Sequence, residues 1–249
     1  MTSTGLPEPI TACLFDMDGV LTDTAALHAA AWKRTFDDYL RMRAARSAVE
    51  FVPFDSVADY DSYVDGKPRE DGVRDFLAAR EIRLPEGEPD DSPDAETVHG
   101  LGNRKNELVQ HLMSPDTVHA YPGSLRYLDT VRQAGLRTAV VSSSANAAQV
   151  LSVAGLTDAL DVRIDGTVAE IRKLKGKPAP DTFLAAAQEL GTPPEHAAVF
   201  EDALAGVAAG RAGKFGFVIG VDRAGQAEEL RRHGADIVVR DLAELLAAR

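Results

Sequence analysis

Cysteine is almost missing from this chain. Its 249 residues include one, Cys13, so no disulfide can close within it, and that fits a reducing compartment. Long hydrophobic runs are missing too. No apolar stretch approaches the ~20 residues that span a bilayer as a helix. The opening residues, MTSTGLPEP, lack the basic and apolar regions of a secretory signal. Basic charge is in deficit. Lys and Arg number 27 against 39 Asp and Glu, a net charge of −12, and such a chain lacks the basic face that nucleic acid rewards. The expectation is a cytoplasmic monomer with no nucleic acid and no membrane among its partners. A small-molecule anion is still allowed, because a few local cations can outweigh the global charge.

What is present is ordinary globular material, 45% hydrophobic and 27% charged, with length for one large domain or a core plus a smaller module. From about Pro122 onward, short apolar runs alternate with helical patterns. RTAVVSSS, AAVFED, FGFVIGVD and DIVVRD read as strands. SLRYLDTVRQAG, NAAQVLSVAGL, DTFLAAAQELG, ALAGVAAGRAG, AEELRRHG and LAELLAA read as helices. That alternation predicts an α/β fold, a doubly wound, Rossmann-like parallel sheet covered on both faces.

Between about Leu27 and His119 the pattern changes to three helical stretches, LHAAAWKRTFDDYLRMRAAR, REDGVRDFLAAREI and NRKNELVQHLM, with no strand between them. The division expected is an α/β catalytic core at 1–26 and 120–249 with a helical cap domain inserted at 27–119. The acidic, proline-rich PEGEPDDSPDAE, Pro85 to Glu96, reads as a solvated loop.

In open α/β sheets, ligands sit beyond the carboxyl ends of the strands. Here those ends carry Asp16 and Asp18 in CLFDMDGVLTDT, then Ser142, Ser143 and Ser144, then Glu201 and Asp202, with Lys177 in KGKPAPD between the last two. If they converge, carboxylates that repel one another would be relieved by a divalent cation. Hard oxygen ligands beside a phosphate suit a magnesium ion, Mg2+, which with a lysine would neutralise a phosphoryl group. An ionised aspartate can act as a nucleophile, and a second acid two residues away can move a proton. Taken singly, each motif has an ordinary explanation: a turn, a helix N-cap, a loop proline, or acids at the positive end of a helix dipole. Their order on successive strand ends is what chance does not readily produce.

DMDGVLTDT, VVSSS, KGKPAPD and FED resemble the four ordered motifs of the haloacid dehalogenase-like hydrolase superfamily. The resemblance covers nearly the whole chain and implies Asp16 as nucleophile and Asp18 as general acid/base. It implies Asp16, Asp18, Glu201 and Asp202 at the Mg²⁺ site, and Ser142 and Lys177 on the transferring phosphoryl group.

The middle segment carries further candidates. His28 and Trp32 stand one helical turn apart, which is equally the spacing of a core pair. Lys67 and Arg69 lie in DGKPREDGV, a Gly/Pro-punctuated loop that reads either as a solvated turn or as a fork for a second phosphate. Arg104 and Lys105 read as a solvated helix face or as part of a site. Together the set resembles the β-phosphoglucomutase branch of the superfamily, through Asp23, Thr24, Ala25, His28 and Trp32, through Gly66, Arg69, Glu70 and Asp71, and through Arg104, Lys105 and Asn106.

That resemblance implies that Arg69 holds the non-transferring phosphate, helped by Ser144 and Asn146, and that His28 and Lys105 line the sugar site or couple cap closure to catalysis. One departure is Ala145 where the branch often has lysine, and Lys67 is the candidate replacement. The implied reaction converts β-D-glucose 1-phosphate to glucose 6-phosphate through an aspartyl-phosphate and a 1,6-bisphosphate. The alternative on the same scaffold is a small-metabolite phosphatase.

Overall fold

The computed structural model describes residues 4–47 and 49–247. The chain divides into two compact units, Met1–Asp23 with Val118–Arg249, and Thr24–Thr117.

The first unit is built on six parallel strands, β1 (Ala12–Phe15), β2 (Arg137–Val141), β3 (Val162–Ile164), β4 (Ala197–Glu201), β5 (Phe217–Val221) and β6 (Ile237–Val239). Their order is β3-β2-β1-β4-β5-β6, the doubly wound order in which the winding direction reverses beside β1. Every residue of β1 and of β4 is buried, as strands covered on both faces require. Alternate β1 residues serve different faces. Ala12 and Leu14 join a cluster with Phe183, Ala186, Val207 and Phe215. Phe15 stacks on Phe200 and meets the edge of Tyr127 on the other side.

The surrounding helices are α4 (Pro122–Gln133), α5 (Ala147–Val153), α6 (Gly166–Arg172), α7 (Asp181–Glu189), α8 (Leu204–Ala212), α9 (Ala227–His233) and α10 (Glu244–Ala247), with α1–α3 in the second unit. The register sets Phe15 opposite Val140 and Phe200, so β1, β2 and β4 end at one level. β3 and α6 were not among the elements the sequence predicts. β3 is a three-residue edge strand with exposed Arg163 at its centre, too short and too polar to show as an apolar run.

The second unit is helical: α1 (Ala25–Ser47), α2 (Arg69–Ala79) and α3 (Val98–Leu112), with a π-helical turn at Tyr60–Val64. On α1, Trp32, Phe36, Tyr39 and Leu40 are buried, the i, i+4, i+7, i+8 stripe of a core-facing helix. They meet Phe54, Val73, Phe76 and Leu101, with Phe36 stacked 5.0 Å from Trp32 and its ring tilted against Phe76 at 4.1 Å. The segment 85–96, expected as a solvated loop, is tied to α3. Asp91 Oδ2 accepts from Thr97 Oγ1 at 2.6 Å, Asn103 Nδ2 donates to the Pro89 and Asp91 carbonyls, and Arg104 Nε donates to the Pro93 carbonyl at 2.7 Å. Thr97 caps α3 by accepting from Gly100 N, so that helix starts five residues before the predicted NRKNELV. Gly100 and Gly102 inside it weaken its helical signature. Among the described residues, no helix is long and apolar enough to cross a membrane.

Candidate active site

Asp16 is the first residue beyond β1, and its N–H donates to the Phe200 carbonyl at 2.9 Å, so the position of its side chain is set by β4 as well as β1. The chain then reverses. Leu21 and Thr22 N–H groups both donate to the Met17 carbonyl, and Gly19 N–H donates to the Thr22 carbonyl at 2.7 Å. Gly19 has φ +84°, and a Cβ there would overlap the Asp202 carboxylate. Glycine is required on both counts. This turn holds half-buried Asp18 two residues from Asp16, close enough for its charge to raise the Asp16 pKa.

Lys177 ties three strand ends together. Its Nζ donates to Asp16 Oδ1, to Glu201 Oε1 and, at 3.1 Å, to the Val141 carbonyl at the end of β2. The second Glu201 oxygen accepts from Ala203 N–H at 3.0 Å. Lys177 is 1% exposed and Glu201 fully buried. Burial opposes the Lys177 ammonium, yet the Asp16 and Glu201 carboxylates outweigh it and hold its pKa above the ordinary lysine value. At Asp16 burial wins. Loss of solvent pushes its carboxyl well above the usual range, against the pull of Lys177 and with help from the negative charges of Glu201 and Asp18. One ammonium does not balance this many acids.

Ligand oxygens of Asp16, Glu201 and Asp202 lie within 4.8 Å of one another, all three residues buried. A buried all-carboxylate set with more acid than the lysine can balance fits a hard divalent cation. Asp18 lies outside that triad. On the neighbouring strand end, Ser142 Oγ accepts from Ser144 N–H and Ser144 Oγ from Asn146 N–H, both at 3.1 Å. These hydroxyls shape the turn into α5, beside the Val141 carbonyl that Lys177 grips. Ser142 is buried, whereas Ser143, Ser144 and Asn146 are partly open.

The remaining candidates belong to the helical unit. Lys105 Nζ lies 2.8 Å from His28 Nδ1 and 5.0 Å from the centre of the Trp32 ring, so these three residues form one cluster, with Lys105 buried. Buried Thr24 accepts from the His28 N–H through its carbonyl at 3.1 Å. Gly66, at φ +70°, turns the chain into α2. Just beyond it, Lys67 Nζ donates to Asp75 at 2.7 Å and Arg69 Nε to Glu70 at 2.9 Å. Arg69 lies against Gly102, one turn of α3 before Lys105. The sequence reading passed over Arg223, whose Nε donates to the Gly19 carbonyl. The available signal was a charged residue just beyond the end of β5.

The family model for haloacid dehalogenase-like hydrolases matches residues 10–214. A β-phosphoglucomutase of Mycobacterium bovis is 59% identical over 97% of this chain and 94% of its own length. The β-phosphoglucomutase of Bacillus subtilis is 32% identical over 94% of this chain and 91% of its own. The crystal structure of Clostridium difficile β-phosphoglucomutase superposes with a TM-score of 0.75 at 26% identity, covering 95% of this chain and 93% of that one. With acids and a lysine gathered at the switch point of a doubly wound sheet, and with relatives matched over nearly their full length, this chain belongs to the haloacid dehalogenase-like hydrolases as a β-phosphoglucomutase-like member.

Proposed function

We propose that this protein is a β-phosphoglucomutase, converting β-D-glucose 1-phosphate to glucose 6-phosphate, and that the α/β unit is its catalytic core and the helical unit its cap. The observation that carries the phosphoryl chemistry is the convergence of Asp16, Glu201 and Asp202 on one buried point, with Lys177 bonded to two of them. The choice of an isomerase rests on the 59% identity to the M. bovis enzyme.

In this reading Asp16 carries the phosphoryl group as an acyl phosphate. The sugar 6-hydroxyl attacks that phosphorus and gives up its proton to Asp18, and the P–O bond to Asp16 breaks. The resulting 1,6-bisphosphate reorients. An Asp16 oxygen then attacks the 1-phosphoryl group, and Asp18 returns a proton to the departing anomeric oxygen. The product is glucose 6-phosphate, with Asp16 phosphorylated again. Lys177 and Ser142 hold the phosphoryl oxygens. Asp16, Asp18, Glu201 and Asp202 would hold Mg²⁺, which when bound neutralises charge on the phosphoryl group.

In the helical unit, Arg69 would grip the phosphate that is not moving, with Ser144 and Asn146 of the core and with Lys67 offsetting Ala145. Lys105, His28, Trp32 and Thr24 would shape the sugar site. The net charge of −12 supports a small sugar phosphate rather than nucleic acid as partner.

The test is incubation with β-glucose 1-phosphate, Mg²⁺ and a trace of glucose 1,6-bisphosphate. The proposal expects glucose 6-phosphate as the main product. Orthophosphate without glucose 6-phosphate would contradict it and favour the phosphatase.

A further inference from the structure

The loop that follows β5 plays no part in the chemistry just described, yet it touches both acidic loops. Arg223 Nε donates to the Gly19 carbonyl at 2.9 Å, and Gln226 Nε2, three residues on, donates to the Asp202 carbonyl at 3.2 Å. Gly19 follows Asp18 directly, and it packs so closely on the Asp202 carboxylate that no Cβ fits between them. One loop therefore bonds the backbone carbonyl of Gly19, one residue beyond Asp18, and that of Asp202, whose carboxylate packs on Gly19.

The loop is itself firmly held. Asp222 N–H donates to the Val239 carbonyl at 2.8 Å, and Asp222 Oδ1 accepts from the Gly225 and Gln226 N–H groups. The Arg223 guanidinium lies 3.8 Å from the centre of the Tyr121 ring, with Nη1 donating to the Arg240 carbonyl at 2.7 Å and lying 3.5 Å from Asp241. Tyr121 in turn bonds the acidic loop, its N–H donating to the Leu21 carbonyl at 2.9 Å. The planar fork of arginine can direct two N–H groups to two separate carbonyls at once, which a lysine ammonium does less well. Arg223 Nη2 is buried with no hydrogen-bond partner among the described residues.

We infer that Arg223, assisted by Gln226, is a positioning residue that holds the Asp18 and Asp202 loops in register for cation binding and proton transfer. The inference rests on the reading of these acids given under Proposed function. Partners that orient the ligands of a metal typically change metal affinity or activity by about 10- to 100-fold when removed.

The experiment compares Arg223→Met, Arg223→Lys and Gln226→Ala with the wild-type protein. Calorimetric titration of Mg²⁺ without substrate is followed by kcat and KM for β-glucose 1-phosphate, and by thermal melting. Arg223→Met is expected to weaken Mg²⁺ binding and lower kcat by about 10- to 100-fold each, with KM changed by less than about threefold. Arg223→Lys keeps the charge but not the fork and is expected to recover little. Gln226→Ala removes one neutral hydrogen bond and is expected to weaken Mg²⁺ binding by about two- to tenfold, with little change in melting. This variant carries the test if Arg223→Met does not fold. Variants that melt lower but keep wild-type Mg²⁺ affinity and kcat would overturn the inference and leave Arg223 as a fold-stabilising residue. The metal titration uses no sugar phosphate. A failed isomerase assay therefore bears on the proposed function, and a failed titration difference bears on this inference.

Discussion

The two units treat charge in opposite ways. In the α/β unit Asp16, Lys177, Glu201 and Asp202 are all buried, and each is fixed by a strand end or by bonds that reach across strands. In the helical unit the charged groups around α2 are partly open and pair locally, as Lys67 does with Asp75 and Arg69 with Glu70. Pairs open to solvent are worth only about 0–1 kcal/mol, so on the proposed reading a ligand phosphate would replace Glu70 on half-open Arg69 at modest cost. Removing one partner from a buried pair costs about 3–5 kcal/mol, so the Lys177 web does not readily rearrange. On the proposed function this contrast would be a division of labour, with buried, cross-linked charge for bond-making and half-open charge for gripping a substrate that must turn around. The exception in the helical unit is Lys105, itself buried and 2.8 Å from half-buried His28.

The largest effect is expected at Asp16. Asp16→Asn should abolish turnover while the protein stays folded, because an amide is a poor nucleophile. Circular dichroism and a product assay check both halves, and near-wild-type activity would end the assignment. Asp18→Ala should cost about 10²- to 10⁴-fold in kcat, the range for a positioned proton-transfer group. A steady-state loss below about tenfold would mean that Asp18 only shapes the turn.

Arg69→Ala tests the other side. Losing a charged bidentate contact should slow isomerisation by about 2–4 kcal/mol, roughly 30- to 1000-fold. Hydrolysis of a small generic phosphate ester, which offers no second phosphate, should fall much less. Equal losses in both assays would assign Arg69 to the stability of the helical unit.

Metal removal should abolish activity, and its effect on stability is the more modest readout. Mg²⁺ at about a hundred times its Kd should stabilise the protein by ~2.7 kcal/mol. Asp202→Ala should lose most of that gain and need more Mg²⁺ for half activity. A melting temperature that ignores Mg²⁺ in the wild-type protein would remove the reading of the Asp16, Glu201 and Asp202 triad as a cation site.

The α/β sheet was legible because β1, β2, β4 and β5 carry short, almost wholly buried runs, apolar apart from Arg137 and Thr138 at the start of β2 and Glu201 at the end of β4, and followed by acids or hydroxyls. β3 was not legible, since its Val-Arg-Ile carries a charge at the centre of an edge strand. The π-helical turn at Tyr60–Val64 has no periodicity of its own to read. Segment 85–96 looked solvated by composition, but its side chains and carbonyls are spent on α3 and its cap, through bonds to residues 6 to 14 positions away. At the site, residue types at strand ends could be read directly. Their connections could not, because Lys177 and Asp16 are 161 residues apart and Lys105 and His28 are 77 apart. Arg223 stood after a strand like the acids, but with a positive charge and no acid beside a serine or lysine motif to mark it.

Whether Asp16 carries the phosphoryl group can be seen by trapping the phosphoenzyme. The protein is mixed with radiolabelled glucose 1,6-bisphosphate and Mg²⁺, quenched in acid and mapped by peptide mass spectrometry. A base-labile acyl phosphate is expected on the peptide containing Asp16, chased into sugar bisphosphate when unlabelled β-glucose 1-phosphate is added before the quench. A label on Ser142, Ser143 or Ser144, or no labelled protein under conditions where glucose 6-phosphate is being formed, would contradict it.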